Sequence, residues 1–374
     1  MNQSSSANEK KISSPDSSEV FDASPSKTYH EQAYIDQTLR LREILKTLPA
    51  FTKDYFRAVE PTTSARTRIS YAYDIRVFFH FLMEVNPHYK NYTIDQFTVQ
   101  DLERLDPVDI EEYQEYLKVY KNEEDRQITN TEKGLSRKMS ALRSFYGYYF
   151  KRQIISKNPT LLVDMPKLHE KAIIRLDTDE IAMLLDYVVH GGENLTGQRL
   201  AYYEKTKNRD LAILTLLLGT GIRVSECVGL DISDVDFDNL AIKVRRKGGY
   251  EDVVYFGEEV EEALLSYLDQ RKHMIPMSGH EDALFLSLQN RRMAVRSVEN
   301  LVKKYASLVT TTKKITPHKL RSTYGTTLYQ ETGDIYLVAD VLGHKDVNTT
   351  RKHYAAMKDD HKRKAAKTVK LREL

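Results

Sequence analysis

The sequence predicts a mainly α-helical protein in two parts, an all-helical N-terminal domain and a mixed α+β second domain with a small antiparallel sheet. Three observations lead there. Apolar positions recur at helical spacing along most of the chain, no strand pattern occurs before residue 170, and beyond it two short β-type runs, Leu240 to Arg246 and Asp252 to Phe256, flank the turn Lys247-Gly248-Gly249-Tyr250-Glu251. A length of 374 residues fits two domains, at roughly 100–200 residues each.

Residues 1–28 open with MNQSSSANEKKISSPDSSEVFDASPS, poor in large apolar side chains and rich in Ser, Asp and Glu. Such a stretch buries too little surface to order itself and is expected to be a disordered leader. A helical domain is expected over residues 29–157. Its first stripe is Ile35, Leu39, Leu41, Ile44 and Leu45, ahead of Pro49. Thr62 to Met83 combines Arg66, Arg68 and Arg76 with an apolar face of Tyr71, Ile75, Phe78, Phe79 and Leu82. Val108 to Tyr120 forms another helix. Thr131 to Phe150 forms a third, in which Lys133, Arg137, Lys138 and Arg143 are expected to face away from Leu135, Met139, Leu142, Phe145 and Tyr146. Basic residues interleaved with aromatics suit a helix laid along a phosphate backbone, and the plainer alternative is a core helix with solvated charges. Residues 158–171 carry Pro159, Pro166 and several lysines without periodicity, and form the expected linker.

The second domain is expected over 172–357. Asp177 and Glu180 make a capping box that opens a helix through about Val189. Residues 191–206 form a polar insertion without an assignment, and Asn208 to Leu218 an apolar, buried helix broken by Gly219-Thr220-Gly221. Arg223 and Glu226, three apart, share a face at the next helix start. A buried guanidinium needs a carboxylate or an anion, so Glu226 can hold one edge of Arg223 while the other meets a phosphate. Lys247 falls at the tip of the expected hairpin, behind Lys243, Arg245 and Arg246. Helices are expected at Glu258 to Met274 and Ser297 to Leu308, with a short strand at Ala283 to Leu288 between them. Thr316 and Pro317 then read as N-cap and first residue of a helix that runs to Gly333. His318 and Arg321 share its first turn, where free backbone N–H groups favour an anion. The apolar run Ile335 to Leu342 stops at Gly343, a C′ glycine that fixes His344 directly after a helix end. Asn348, Thr349 and Thr350 can cap a last helix carrying His353 and Tyr354. In the tail, 358–374, seven Lys or Arg stand against three Asp or Glu.

Composition narrows the class of protein. With 41% hydrophobic and 29% charged residues, and no apolar run near the ~20 residues of a membrane span, no membrane role is expected. The single cysteine, Cys227, excludes a disulfide within one chain, and the expected compartment is the cytoplasm. A net charge of +2 does not announce a nucleic-acid partner; the local basic clusters carry that case.

Gly221, Arg223, Ser225 and Glu226, then His318 and Arg321 in HKLRS, then Leu342-Gly343-His344, and finally Tyr354 together resemble the signature of the tyrosine recombinases, the phage-integrase and Xer family. That signature reads G-x-R-x-S-E, HxLRH or close to it, LGH, and a nucleophilic Tyr soon after. The similarity spans residues 60 to 360 or so, with its strong motifs after Gly219, and its flavour is that of the single-chain Xer recombinases of Gram-positive bacteria. Ser322 stands where many members have His, which touches no main catalytic role.

The resemblance implies a helical core-binding, SAM-like domain and a catalytic domain of the recombinase fold that together grip double-stranded DNA. It implies that Tyr354 attacks a phosphodiester and that Arg223 and Arg321 clamp the non-bridging oxygens. His318 would accept or share the Tyr354 proton, His344 would hydrogen-bond the phosphate, and Lys247 would protonate the leaving 5′ oxygen, with Arg246 as its competitor. Glu226 would support Arg223. Contacts to DNA are expected from Arg66, Arg68, Arg76, Lys133, Arg137, Lys138, Arg143, Arg245 and Arg246. Neither metal nor other cofactor is implied. Implied partners are an inverted-repeat DNA site, three further copies of the chain in a tetramer on two sites and docked through 358–374, and accessory DNA-binding or cell-division proteins. A type IB topoisomerase shares the Arg, Lys, Arg, His and Tyr chemistry and is the main rival reading. A non-catalytic DNA-binding relative is the other, disfavoured because every catalytic position is filled.

Overall fold

The computed structural model describes residues 28–169, 173–246, 248–344 and 346–347. The leader through residue 27, Lys247, the expected last helix with His353 and Tyr354, and the tail lie outside the described residues.

The first half is built from α1 (Tyr29–Leu45), α2 (Thr52–Ala58), α3 (Ala65–Glu84), α4 (Asp101–Arg104), α5 (Pro107–Tyr116) and α6 (Glu132–Lys151). Helices α1, α3 and α5 begin where a short polar side chain replaces a missing backbone partner. Thr28 and Glu31 cap α1 reciprocally, Ser64 accepts the Thr67 N–H at 3.2 Å, and Asp106 accepts the Val108 and Asp109 N–H groups ahead of Pro107. The core is aromatic. Phe78, Phe79 and Phe81 of α3 meet Tyr113 of α5 and Phe145 and Tyr146 of α6, all buried. Their edge-to-face contacts include Phe78 on Tyr113 at 5.1 Å, a geometry that adds to the gain from area alone.

Asp74 lies inside this half, 2% exposed, between Lys138 at 3.3 Å and Arg137. Burial pushes its carboxyl above the ordinary range, and the two cations pull it back. Removing one member of a buried pair leaves the other uncompensated, so Asp74→Ala is expected to cost about 3–5 kcal/mol. Denaturant unfolding would read it.

This arrangement corrects the view of α6 and α3 as carrying only outward bases. Lys138 is turned inward to Asp74, and Arg68 is buried and paired with Glu60 at 2.7 Å. The Arg143 guanidinium donates to the Thr160 and Val163 carbonyls, stitching α6 to the chain that leaves it. A second correction concerns strands. The half is not all-helical: α5 stops at Tyr116, and β1 (Val119–Lys121) pairs antiparallel with β2 (Gln127–Thr129). Strands this short present no alternation to read. Their turn is made without glycine, by the Asn122 side chain accepting the Glu124 and Arg126 N–H groups and by Asp125 at φ 56°.

The second half contains α7 (Thr178–His190), α8 (Gly197–Thr220), α9 (Val224–Gly229), α10 (Glu258–Arg271), α11 (Val295–Val309), α12 (Pro317–Thr332) and α13 (Ile335–Val341). Its sheet is β3 (Val235–Asp236), β4 (Ala241–Arg245) and β5 (Glu251–Tyr255), antiparallel in that order. The apolar α8 lies against α7, α10 and α12 at the centre. Most of the polar insertion turns out to be the opening turns of α8. Tyr203 pins them to the end of α7, its hydroxyl donating to the Val188 carbonyl at 2.9 Å. The strand expected at Ala283 to Leu288 is absent among the described residues. Only single bridges form there, Asp231 with Ala283 and Leu286 with Arg292, because the chain folds back on itself within 285–293.

Helix α1 touches both halves. Leu41 and Ile44 near its end are buried in the first core, whereas Tyr29 at its start lies against the second, with the Arg292 guanidinium 4.9 Å from its ring centre.

Candidate active site

Two chain reversals and one strand converge on one spot. Helix α8 ends at Gly221, φ +63°. A Cβ there would stand 2.4 Å from Tyr324 and 3.0 Å from Leu342, so conformation and space both demand glycine. The turn delivers Arg223 to the start of α9. Helix α13 ends in the turn Leu342-Gly343, with Gly343 at φ +59°, and His344 follows, its N–H donating to the Ala339 carbonyl at 2.9 Å. Strand β4 brings Arg246 in from the third side.

Glu226 is the centre of the charge network and only 4% exposed. Its Oε1 accepts from Arg223 Nη1 at 2.7 Å, and its Oε2 accepts the Arg223 backbone N–H at 2.7 Å and Arg246 Nη1 at 3.1 Å. A carboxylate taken out of water is tolerable only with partners on each oxygen, and here Oε1 has one and Oε2 two. The Arg223 side chain keeps 31% of its surface open.

The end of α13 is held by guanidinium groups. The last carbonyls of a helix lack backbone donors and carry the negative end of its dipole. Arg246 Nη2 donates to the Val341 carbonyl at 3.0 Å, Arg321 Nη2 to that of Leu342, and Arg223 Nη2 to that of Gly343 at 3.4 Å. Arg321, 4% exposed and one turn into α12, also donates to the Gly221 carbonyl at 2.6 Å, joining the two glycine turns. Three guanidinium groups gather here against two carboxylates, with Arg223 and Arg246 bonded to Glu226 and Asp252 and Arg321 to carbonyls, which leaves net positive charge where His344 emerges. An anion is the chemical complement of such a place. His318, one helical turn before Ser322, is exposed on the same α12 start as Arg321.

The structure thus brings Arg223, Glu226, Arg321 and His344 together, with His318 on the adjoining turn. Lys247 follows Arg246 directly in sequence, and it and Tyr354 lie outside the described residues. Arg246 is a correction: expected on DNA or as an acid, its side chain is 1% exposed and wholly engaged inside the protein. Its inward position was legible, since strand alternation places Arg246 on the face of Ile242 and Val244, both buried. Arg245 is exposed on the opposite face. In the first half, Arg66, Lys133 and Arg137 are exposed. Arg76 is partly covered, stacked on Tyr73 at 5.1 Å and paired with Glu123 of the hairpin at 3.3 Å. Among the described residues, no group of three or more His, Cys, Asp or Glu side chains is placed to hold a metal ion, and no helix is long and apolar enough to cross a membrane.

Residues 175–361 match the model of the phage integrase family. The chain is 34% identical over 323 residues to the tyrosine recombinase XerC of Caldanaerobacter subterraneus, covering 84% of each. It is 30% identical over 351 residues to the tyrosine recombinase XerS of Streptococcus agalactiae, covering 86% of this chain and 96% of that one. Among solved structures, it is similar in fold to the Tn1549 transposon integrase in complex with circular intermediate DNA, with a TM-score of 0.57 at 21% identity over 80% of this chain and 93% of the other.

Proposed function

This chain belongs to the phage integrase family and is a site-specific tyrosine recombinase, and on that premise we propose how its residues divide the reaction. The Tyr354 oxygen attacks the scissile phosphorus as its proton passes to His318. The bond to the 5′ oxygen breaks and that oxygen takes a proton from Lys247, leaving a 3′-phosphotyrosyl bond. Arg223 and Arg321 neutralise the non-bridging oxygens as charge builds on them, and His344 adds a hydrogen bond. A phenol with a pKa near 10 is a poor nucleophile at neutral pH without such help. Each well-placed donor contributes about 10²–10³ in rate in comparable sites. Because the phosphotyrosyl bond conserves the energy of the one it replaces, rejoining to a second duplex through a Holliday junction needs no cofactor.

The observation that supports this most strongly is the convergence of Arg223 and Arg321 on the turn that presents His344. The finer reading is that the protein works in the cytoplasm as a homotetramer on two inverted-repeat DNA sites, aided by accessory DNA-binding or cell-division proteins. A plasmid carrying two copies of the target site tests it: recombinant products and trapped junctions are expected. Relaxation of supercoils without them would sink it in favour of topoisomerase action.

Both halves are expected to grip the duplex, through Arg66, Lys133 and Arg137 on one side and Arg245 on the other. Log K should then fall by about 0.9 per phosphate neutralised for each unit of log salt. The isolated 172–374 fragment should bind more weakly with a shallower slope, and equal slopes would remove the helical half from the interface.

A further inference from the structure

We propose that Arg246 is a positioning residue that sets the phosphate clamp from behind, acting through Glu226 on Arg223 and through the Val341 carbonyl on the turn that carries His344. This rests on the reading of Arg223 and His344 given above.

The geometry is that of a buried three-way tie. Arg246 Nε donates to Asp252 Oδ2 at 2.8 Å on β5, Nη1 to Glu226 on α9 at 3.1 Å, and Nη2 to the Val341 carbonyl at the end of α13 at 3.0 Å. One planar group thereby ties together β5, α9 and the end of α13. A guanidinium fork fixes directions as well as distances, which a lysine ammonium does not. Glu226 then has one oxygen tied toward Arg246 and the other left for Arg223. Without that tie Oε2 still accepts the Arg223 backbone N–H, but the carboxylate loses its link to the strand side of the site, so the Arg223 guanidinium on Oε1 is held less firmly in place. The turn at Gly343 is shaped to the same group. A Cβ on Gly343 would stand 2.9 Å from Arg246 Nε and 3.0 Å from its Cζ, so the chain passes across the guanidinium face where only glycine fits. Proton donation to a leaving group is excluded for such a residue, since arginine does not give up its proton in proteins and this side chain is 1% exposed.

The test compares single-turnover adduct formation by full-length Arg246→Lys and Arg223→Ala on three duplexes. One has an ordinary scissile phosphodiester, one a methylphosphonate lacking the charged non-bridging oxygen, and one a 5′-bridging phosphorothiolate. A misplacement of about 1 Å costs about 10²-fold, so Arg246→Lys should be slowed by about that on the ordinary duplex with unchanged DNA affinity. On the methylphosphonate, where a guanidinium clamp has less charge to neutralise, both defects should shrink in parallel. On the phosphorothiolate neither should shrink. Equal slowing on all three substrates with a lowered melting temperature would make Arg246 merely structural and overturn the proposal. Rescue by sulfur would also overturn it, by tying Arg246 to the leaving group. Should Arg246→Lys fold poorly, Asp252→Asn loosens the same guanidinium from a side chain that is 37% exposed, and the same pattern at smaller amplitude is expected. Cleavage at the wild-type rate by Arg223→Ala would overturn the site assignment and the proposal together, whereas failure of Arg246→Lys alone would leave the assignment standing.

Discussion

Tyr354→Phe is expected to abolish covalent adduct formation while leaving DNA affinity at the wild-type level. The change removes one oxygen and keeps the ring, so any packing made by the aromatic face survives and only the nucleophile is lost. A nicked duplex that sheds its leaving strand makes cleavage irreversible, and denaturing gels then show the wild-type protein shifted by its attached DNA and the Phe variant unshifted. Adducts that persist in the variant would move the role to another tyrosine. Of the 24 in the chain, Tyr324 lies beside the arginine cluster, against Gly221. It is poorly suited: burial raises its phenol pKa above the ordinary value, which disfavours the phenolate.

Lys247→Ala is expected to slow cleavage of normal DNA by about 10²–10⁴, the range of a lost general acid, and to recover most of that on the 5′-bridging phosphorothiolate. An alkoxide is a poor leaving group and needs a proton as the bond breaks, whereas a thiolate leaves without one. The substrate therefore supplies what the variant lacks. Arg223→Ala gains nothing from the sulfur, because its charge acts on oxygens that are the same in both substrates. If Lys247→Ala stays equally slow on both, the proton comes from elsewhere, and His344 becomes the first candidate.

The helices were legible in the sequence because their signals are local. Pro317 after Thr316, the Asp177–Glu180 box and the glycines at 221, 333 and 343 each settle a boundary within a few residues, and the structure places helix ends at all of them. The pairing of Arg223 with Glu226 was equally readable, being a three-residue relation. What escaped was long-range. No local pattern says that Lys138 turns in toward Asp74, 64 positions away, or that Arg143 closes onto the Val163 carbonyl. Basic residues on an amphipathic helix look alike until the tertiary partner is known. The β1–β2 hairpin escaped for a different reason, since strands of three residues with a glycine-free turn carry almost no periodic signal. Arg246 lies between these cases. Its inward direction follows from strand alternation, but its partners on α9 and α13 are 20 and 95 residues distant.

Helix α1 behaves mechanically as a strut. Seventeen residues make a rod of about 25 Å, seated at one end by Tyr29 in the catalytic half and at the other by Leu41 and Ile44 in the helical half. A rigid rod seated at both ends resists movement along its axis, so the halves cannot be drawn apart in that direction without unseating one end. The ends are unequal: two buried aliphatic side chains anchor the helical half, whereas two half-buried rings, Tyr29 and His30, meet the other. Any parting of the halves that lets a duplex enter would thus begin at Tyr29, with α1 travelling as a lever arm of the helical half.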